Sequence, residues 1–145
     1  MDTKKTQPTI FKWNSTAFLV LTAITLSACA RKIDFGISPV VPAADGYVKL
    51  SSDKNNNTSI TVRINHLAPV ERLNPPGKVY VVWMTTENNG VRNIGQLKNA
   101  HLAFSKALKA ELKTVTPFKP TDFFITAEES ATVTMPGSEA VLKTK

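Results

Sequence analysis

The residue with the most distinctive chemistry is Cys29, the single cysteine of the chain. One cysteine cannot form an intrachain disulfide, so any fold must be stabilised by an ordinary hydrophobic core. Leu26, Ser27 and Ala28 come directly before it, which places one branched apolar and two small side chains next to the thiol. A free thiol can be alkylated to a thioether, and Cys29 carries the only thiol of the sequence.

The other residues suited to metal binding lack partners at the required spacing. His66 and His101 have no second ligand type at metal-site spacing in their own segments. Asp53 opens a pattern like that of a calcium loop, but Thr58 stands where glycine is needed and Ile64 where the closing glutamate belongs. We therefore predict a polar turn there and no metal site.

Catalytic or ligand-stacking arrangements are similarly weak. Glu128 and Glu129 are adjacent, so on a strand they point to opposite faces and cannot act as an acid/base pair. Trp83 and the Phe123/Phe124 pair lie in apolar runs, which favours core packing over a binding platform. We expect no catalytic residue and no cofactor, and one of the two phenylalanines should face solvent or a partner.

The N-terminal segment has the layout of a secretory signal peptide. Lys4, Lys5 and Lys12 precede an uncharged apolar stretch over residues 15–28, and Arg31-Lys32 closes it. That stretch is shorter than the ~20 residues that a membrane-spanning helix needs. We predict a signal helix that is removed rather than a permanent span.

The four residues Leu26-Ser27-Ala28-Cys29 resemble the lipobox of bacterial lipoproteins at every position. The resemblance implies cleavage of residues 1–28, recognition by signal peptidase through the first three residues, and lipidation of Cys29. Two or three acyl chains make such attachment stable. The expected location is the extracytoplasmic face of a bacterial envelope. Ala30 after the cysteine resembles outer-membrane sorting, where the host has that membrane.

Composition and proline content define the remaining organisation. The chain has 145 residues and a formal charge of +7, which allows one domain. Its basic residues are scattered rather than clustered with aromatics, so we expect no nucleic-acid partner. Pro39 and Pro42, without a sustained hydrophobic period, predict a lipidated tether over residues 29–44 that extends up to roughly 45 Å. The folded domain is then 45–145.

Hydrophobic periodicity predicts an all-β fold. Ile60, Val62 and Ile64 alternate with polar residues, as on a strand with one wet face. Val79–Met84 is apolar throughout, which predicts a strand buried on both faces, and Asn89-Gly90 predicts a tight hairpin after it. The predicted strands are Tyr47–Leu50, Ser59–Asn65, Val79–Met84, Val91–Leu97, Asp122–Glu128 and Ala140–Lys143.

Residues 97–113 fit two structures. Leu97, Phe104, Leu108 and Leu112 have helical spacing among good helix formers. Leu108, Ala110 and Leu112 also alternate with charged residues, as in a strand. Periodicity alone does not choose between them.

The C-terminal half resembles the extracytoplasmic C-terminal domain of anti-sigma-K-factor-like bacterial membrane proteins. The resemblance covers roughly Gly77 to Leu142 and implies an immunoglobulin-like antiparallel β-sandwich of about seven strands, with Lys106–Val115 extended and a short helical turn around Asn99–Ser105. It is carried by Tyr80-Val-Val-Trp83, Ile94-Gly95-Gln96-Leu97, Phe124-Ile-Thr-Ala-Glu128, Pro136-Gly137 and Val141-Leu142.

The chain departs from that family at its start. About 14 residues precede the apolar segment, too few for the cytoplasmic domain that grips a sigma factor, so sigma-factor sequestration is not expected. The leading hypothesis is a non-enzymatic, lipid-anchored module that docks an envelope protein. The alternatives are an accessory or sensor in anti-sigma-type envelope stress signalling and, less favoured, an enzyme with an unrecognised site.

Overall fold

The computed structural model describes residues 30–99 and 108–145, and this part of the chain folds as an all-β sandwich of two antiparallel sheets. The all-β prediction is confirmed. The described residues form nine strands where about seven were expected: β1 (Arg31–Asp34), β2 (Asp45–Ser52), β3 (Thr58–Asn65), β4 (Val79–Thr86), β5 (Gly90–Gln96), β6 (Lys98–Asn99), β7 (Lys109–Thr116), β8 (Pro120–Glu128) and β9 (Ala140–Lys143).

The first sheet has the order β1-β2-β3-β7-β6, and the second has the order β5-β4-β8-β9. A single short 3-10 turn, Val70–Arg72, lies between β3 and β4 among the described residues. The predicted signal helix lies outside the described residues. So does the predicted helical turn after Asn99, which itself belongs to β6.

The first sheet shows the alternation predicted for one wet face. On β3, Ile60, Val62 and Ile64 point into the core and are almost fully buried. Between them, Arg63 points outward, where its Nε donates a hydrogen bond to Glu111 on β7 at 3.3 Å. The polar period of two therefore matches a sheet that is covered on one side only.

The central strand of the second sheet, β4, is buried on both faces, as its apolar run predicts. Tyr80, Val82 and Met84 join the core between the sheets. Val81 and Trp83 point to the opposite, outer face, yet neither is exposed to solvent. Something outside the two-layer core must cover this face.

That cover is the crossing segment, residues 129–139, which connects β8 to β9. It is tied to the far edge of the sheet by Asn93 on β5, whose Nδ2 donates to the carbonyls of Ala131 (2.9 Å) and Val133 (2.7 Å). It returns to β8, where Gly137 N–H donates to Glu128 at 3.0 Å. Because Asn93 lies opposite Trp83 in the strand register, the segment passes over the indole.

The prediction of a tether up to residue 44 is wrong for residues 31–44, which belong to the domain. β1 pairs with β2 from Arg31 onward, and the following loop buries Phe35, Val41 and Ala44. Ser38 holds the loop, because its Oγ donates to Val141 O at 2.5 Å and accepts from Val41 N–H at 2.8 Å. Buried residues spaced by turns leave no regular period, so the pattern resembled a linker.

Residues 109–116 form a strand, as the family resemblance implied. β7 pairs with β3 along eight positions from Lys109 to Thr116. This pairing outweighs the local helix propensity, because it satisfies the backbone of both strands and places Ala110 in the core. A bulge in β5 brings Gly95, at φ +127°, against Leu112 of β7.

The strand register defines two ends of the sandwich. At one end, which we call the turn end, lie the turns 53–57, 87–89 and 117–119, where β2 meets β3, β4 meets β5, and β7 meets β8. At the other, the far end, lie the longer loops 35–44 and 66–78. β1 begins on the turn-end side, since Arg31 pairs with Leu50, two residues from the end of β2.

Candidate functional site

The predicted lipidation site and recognition residues, Cys29 with Leu26, Ser27 and Ala28, lie outside the described residues. The described chain begins at Ala30, which is bonded directly to Cys29, and β1 begins one residue later. Because consecutive Cα atoms are about 3.8 Å apart, the Cα of Cys29 lies at most about 7.6 Å from that of Arg31. If Cys29 carries the predicted lipid, almost no linker separates that lipid from the sandwich.

The 53–57 turn is organised by one carboxylate. Asp53 accepts hydrogen bonds from the N–H groups of Asn55 and Asn57, each at 2.8 Å, and from Asn57 Nδ2 at 3.1 Å. The backbone and side-chain hydrogen bonds from Asn57 lower the pKa of the Asp53 carboxyl below its ordinary value. These contacts engage the Asp53 carboxylate in closing the turn. Within the described residues, no group of three or more His, Cys, Asp or Glu side chains is placed to hold a metal ion.

The other two turns at this end are closed by buried threonines. Thr86 Oγ1 donates to Gly90 O and accepts from Asn89 N–H, both at 3.0 Å. Thr116 Oγ1 accepts from Phe118 N–H at 3.2 Å. Three short, internally hydrogen-bonded turns make this end of the molecule a well-defined surface.

A cleft of about 690 Å³ opens between β5 and β7 beside this end. Its apolar walls include Val91 and Val115, which are 44% and 56% exposed, and Phe118. The guanidinium of Arg92 lies 4.3 Å from the centre of the Phe118 ring, in cation–π contact. The turn end thus combines exposed apolar side chains with a positive charge.

Further basic side chains surround these valines. These residues are far apart in the sequence, but the strand register brings them to the turn end and the strand positions beside it. All are exposed: Arg31, Lys49, Lys54, Arg92, Lys113 and Lys119. The acidic residues of the same region are Asp53, Glu87, Asp122 and Glu111, whose carboxylate pairs with Lys113 at 3.1 Å. Basic groups therefore outnumber acidic ones here, and Asp53 is already hydrogen-bonded within its turn.

A second cleft, of about 490 Å³, lies at the far end. Leu67, Leu97 and Leu108 form part of its wall, and Tyr80 donates its hydroxyl to Ala68 O at 2.8 Å. Burial, with a smaller contribution from the charge of Glu71, raises the pKa of Tyr80 to about 12. A phenol held protonated and already bonded to a carbonyl supports packing rather than proton transfer.

The histidines do not form a site in the described part of the chain. His66 Nδ1 lies 2.8 Å from Asp45 Oδ1 in an exposed pair, and His101 lies outside the described residues. Hydrogen bonds from Asn65 and then His66 lower the pKa of Asp45. This arrangement is an exposed hydrogen-bonded contact between the start of β2 and the residue that follows β3.

The two adjacent glutamates point apart. Glu129 is exposed, and its carboxylate pairs with Lys78 at 2.8 Å. Glu128 is buried and accepts from the hydroxyl of Thr126 at 2.6 Å, while that hydroxyl oxygen accepts from Trp83 Nε1–H at 2.7 Å. Sequence reasoning separated the two residues but missed that Glu128 fastens the crossing segment. The contact is to the backbone of Gly137, which carries no side-chain signature.

The phenylalanine pair also divides between the two faces. Phe123 is buried in the core, and Phe124 is partly exposed and stacked on Trp83 at a centroid distance of 6.2 Å. Neither ring lines one of the described clefts. Trp83 itself is completely buried.

No family model, curated protein or solved structure matches the chain. Within residues 30–99 and 108–145, no helix is long and apolar enough to cross a membrane. The strand pieces that carry the anti-sigma-K-like resemblance fall within or at the end of the four strands of the second sheet, β4, β5, β8 and β9.

Proposed function

We propose that this chain is a bacterial lipoprotein, cut before Cys29, lipidated on that cysteine and displayed on the extracytoplasmic side of the envelope. The supporting observation is that the lipobox-like motif is followed directly by the folded domain. The motif Leu26-Ser27-Ala28-Cys29 ends where a folded domain begins, since β1 starts at Arg31. Ala30 favours the outer membrane in a host that has one.

The experiment compares intact mass and membrane partitioning of the natively expressed protein with those of Cys29→Ser. The wild type should lose residues 1–28, gain acyl mass and partition into membranes, because the thiol forms the thioether. Cys29→Ser has nearly the same shape but no thiol, so it should stay unprocessed. If both forms keep an intact N-terminus and remain in the membrane, residues 15–30 are a permanent anchor and the proposal is wrong.

A second variant separates recognition from attachment. Ala28→Trp keeps the thiol but replaces a small side chain at the cleavage site with a large one. We expect processing to slow strongly, and Ala30→Ser, which leaves the four recognised residues intact, should be processed normally. Normal processing of Ala28→Trp would show that residues 26–28 are not read as a cleavage signal.

The sandwich itself is proposed to act as a non-enzymatic module that contacts another envelope protein. Two of its most exposed large apolar side chains, Ile37 at 88% and Met135 at 77%, project from the loop after β1 and from the crossing segment. The buried carboxylate of Glu128 is occupied by hydrogen bonds and closes the fold. These two side chains are the proposed contact points for the partner.

Crosslinking in native membranes tests this role. A partner crosslinked to the acylated wild type should be lost from the double variant Ile37→Asp, Met135→Asp and retained by Lys98→Glu, a matched change on β6. Identical crosslinked products from all three proteins would remove the support that these side chains give.

A narrower role, as an accessory in envelope stress signalling, has one supporting observation. The strand pieces that resemble anti-sigma-K-like outer domains share a single sheet. If that sheet mediates the role, the acylated protein should co-purify with the outer domain of a sigma regulator. Recovery of other envelope proteins without any such regulator would argue for the broader role alone.

A further inference from the structure

The turn end is the part of the sandwich closest to the proposed lipid anchor. Cys29 precedes β1 by two residues, so its Cα lies at most about 7.6 Å from that of Arg31. Acyl chains on its sulfur must enter the bilayer, which brings the start of β1 to the level of the lipid headgroups. This step rests on the proposed function.

The strand register then orients the whole domain. Arg31 pairs with Leu50, and β2 ends two residues later at Ser52, opposite Thr58 of β3, which in turn lies opposite Thr116 of β7. From Arg31, β1 runs away from this edge toward Asp34. The turns 53–57 and 117–119 are therefore on the side from which the chain enters the fold.

The chemistry of this end matches an anionic membrane surface. Lys54 and Lys119 project from the turns 53–57 and 117–119 at the end where the chain enters the fold, and Arg31 begins β1; all three are exposed. A basic residue near an anionic leaflet raises affinity roughly fivefold, and the effect fades over a Debye length. The exposed valines Val91 and Val115 can rest among the headgroups, where apolar groups flanked by basic ones are favoured.

We propose that the turn end docks on anionic phospholipid headgroups, so that the sandwich stands on the membrane with its far end outward. The bound species is the headgroup layer as a surface, recognised by charge and by shallow insertion of the valines. Asp53, Glu87 and Asp122 oppose this attraction, but Asp53 is already engaged by the N–H groups of its turn. The far end, with loops 35–44 and 66–78, is left for protein partners.

Lysine labelling on vesicles tests the orientation, because lysines occur at both ends. The acylated full-length protein is placed in vesicles of phosphatidylcholine with 30 mol% phosphatidylglycerol and in detergent, then treated with a water-soluble amine reagent. Lys54 and Lys119 should react at least about fivefold more slowly on the vesicles, and Lys78 and Lys98 at the far end should be unchanged. Raising the salt concentration should restore part of the reactivity.

Reciprocal variants show whether charge causes the protection. Lys54→Glu should restore the reactivity of Lys119 on vesicles, and Lys119→Glu should restore that of Lys54. Lys98→Glu is the matched change at the far end and should alter neither. All these lysines are exposed, so the fold is expected to survive each change.

The outcomes separate the inference from the lipoprotein proposal. Acyl mass and flotation with vesicles report on the lipidation of Cys29, and the labelling pattern reports on the turn end. An acylated, floating protein whose Lys54 and Lys119 react as in detergent overturns the docking proposal alone. Protection that is already present in detergent would assign the turn end to contacts between copies of the chain and would also overturn it. A protein without acyl mass overturns both.

Discussion

The two sheets of this sandwich differ in how many of their faces are covered. The first sheet turns a polar face with Arg63, Glu111 and Lys113 to water. The centre of the second sheet is enclosed, because the crossing segment lies over Trp83 on the face opposite the core. The continuous apolar run in β4 and the alternation in β3 therefore have the same cause. Each pattern reflects whether a strand buries two faces or one.

The largest difference should come from the indole at the centre of the enclosed face. Trp83→Ala removes a side chain that is completely buried, and the cavity together with the lost Thr126 contact should lower the free energy of unfolding by about 3–5 kcal/mol. Tyr47→Ala on the wet face of the first sheet is the aromatic control and should cost less than half as much. Urea denaturation measures both, and equal losses would contradict the contrast between the sheets.

The next effect concerns the fastening of the crossing segment. Glu128→Ala leaves the buried Thr126 hydroxyl and the partly buried Gly137 N–H without their acceptor and should destabilise the fold by about 2–3 kcal/mol. Limited proteolysis should also cut residues 129–139 faster. Glu129→Ala, one residue away in an exposed ion pair, should change stability by no more than about 0.5 kcal/mol. Similar effects of the two variants would show that Glu128 does not hold the segment.

The stability of the fold at alkaline pH should depend on Tyr80, whose side chain lies on the inner face of β4. Its pKa is raised to about 12 from an ordinary 10, so the unfolded chain loses the phenolic proton first. Its stabilising contribution is complete below pH 10 and falls by up to about 2 kcal/mol as pH rises toward 12. Tyr80→Phe should remove this part of the alkaline loss. The wild-type and variant profiles should be compared by denaturant melts, and parallel profiles would contradict the assignment.

The smallest effect is expected at the first sheet's exposed turn. The pKa of Asp53 is lowered below 3.8 by hydrogen bonds from Asn57 and Asn55. Its charged form therefore supports the fold above that pH, and the support is lost as pH falls through the lowered pKa. Asp53→Asn should remove this loss of stability at low pH, and Asn57→Ala should remove only part of it. Thermal melts between pH 2 and 5 measure the change, and a loss that is unaltered in both variants would contradict the prediction.

The strands were predictable because the order of apolar and polar side chains in each strand shows which of its faces are buried. The alternation of Ile60, Val62 and Ile64 and the run through Trp83 depend only on which faces are covered, and both predictions are confirmed. Residues 31–44 were mispredicted because Ser38 and its neighbours are buried by turns, which leave no period. Hydrophobic pattern alone could not resolve β7, and the structure agrees with the extended form that the family resemblance implied.

The crossing segment and the turn end could not be predicted from local sequence. The crossing segment is held through backbone groups of Ala131, Val133 and Gly137, which any residue type supplies. The charges of the turn end are far apart in sequence, and only the register brings Arg31, Lys54 and Lys119 to one side. The lipidation residues remain a prediction, since they lie outside the described residues.

The early start of β1 has a consequence for how a lipid-anchored form meets other molecules. Strands of eight residues, such as β3, make the sandwich about 27 Å tall, and no 45 Å tether lifts it further. The domain would then occupy a thin layer next to the lipid and diffuse within that plane. Its encounters become two-dimensional, which favours membrane-embedded or membrane-adjacent partners at a high effective concentration over distant ones in the surrounding space.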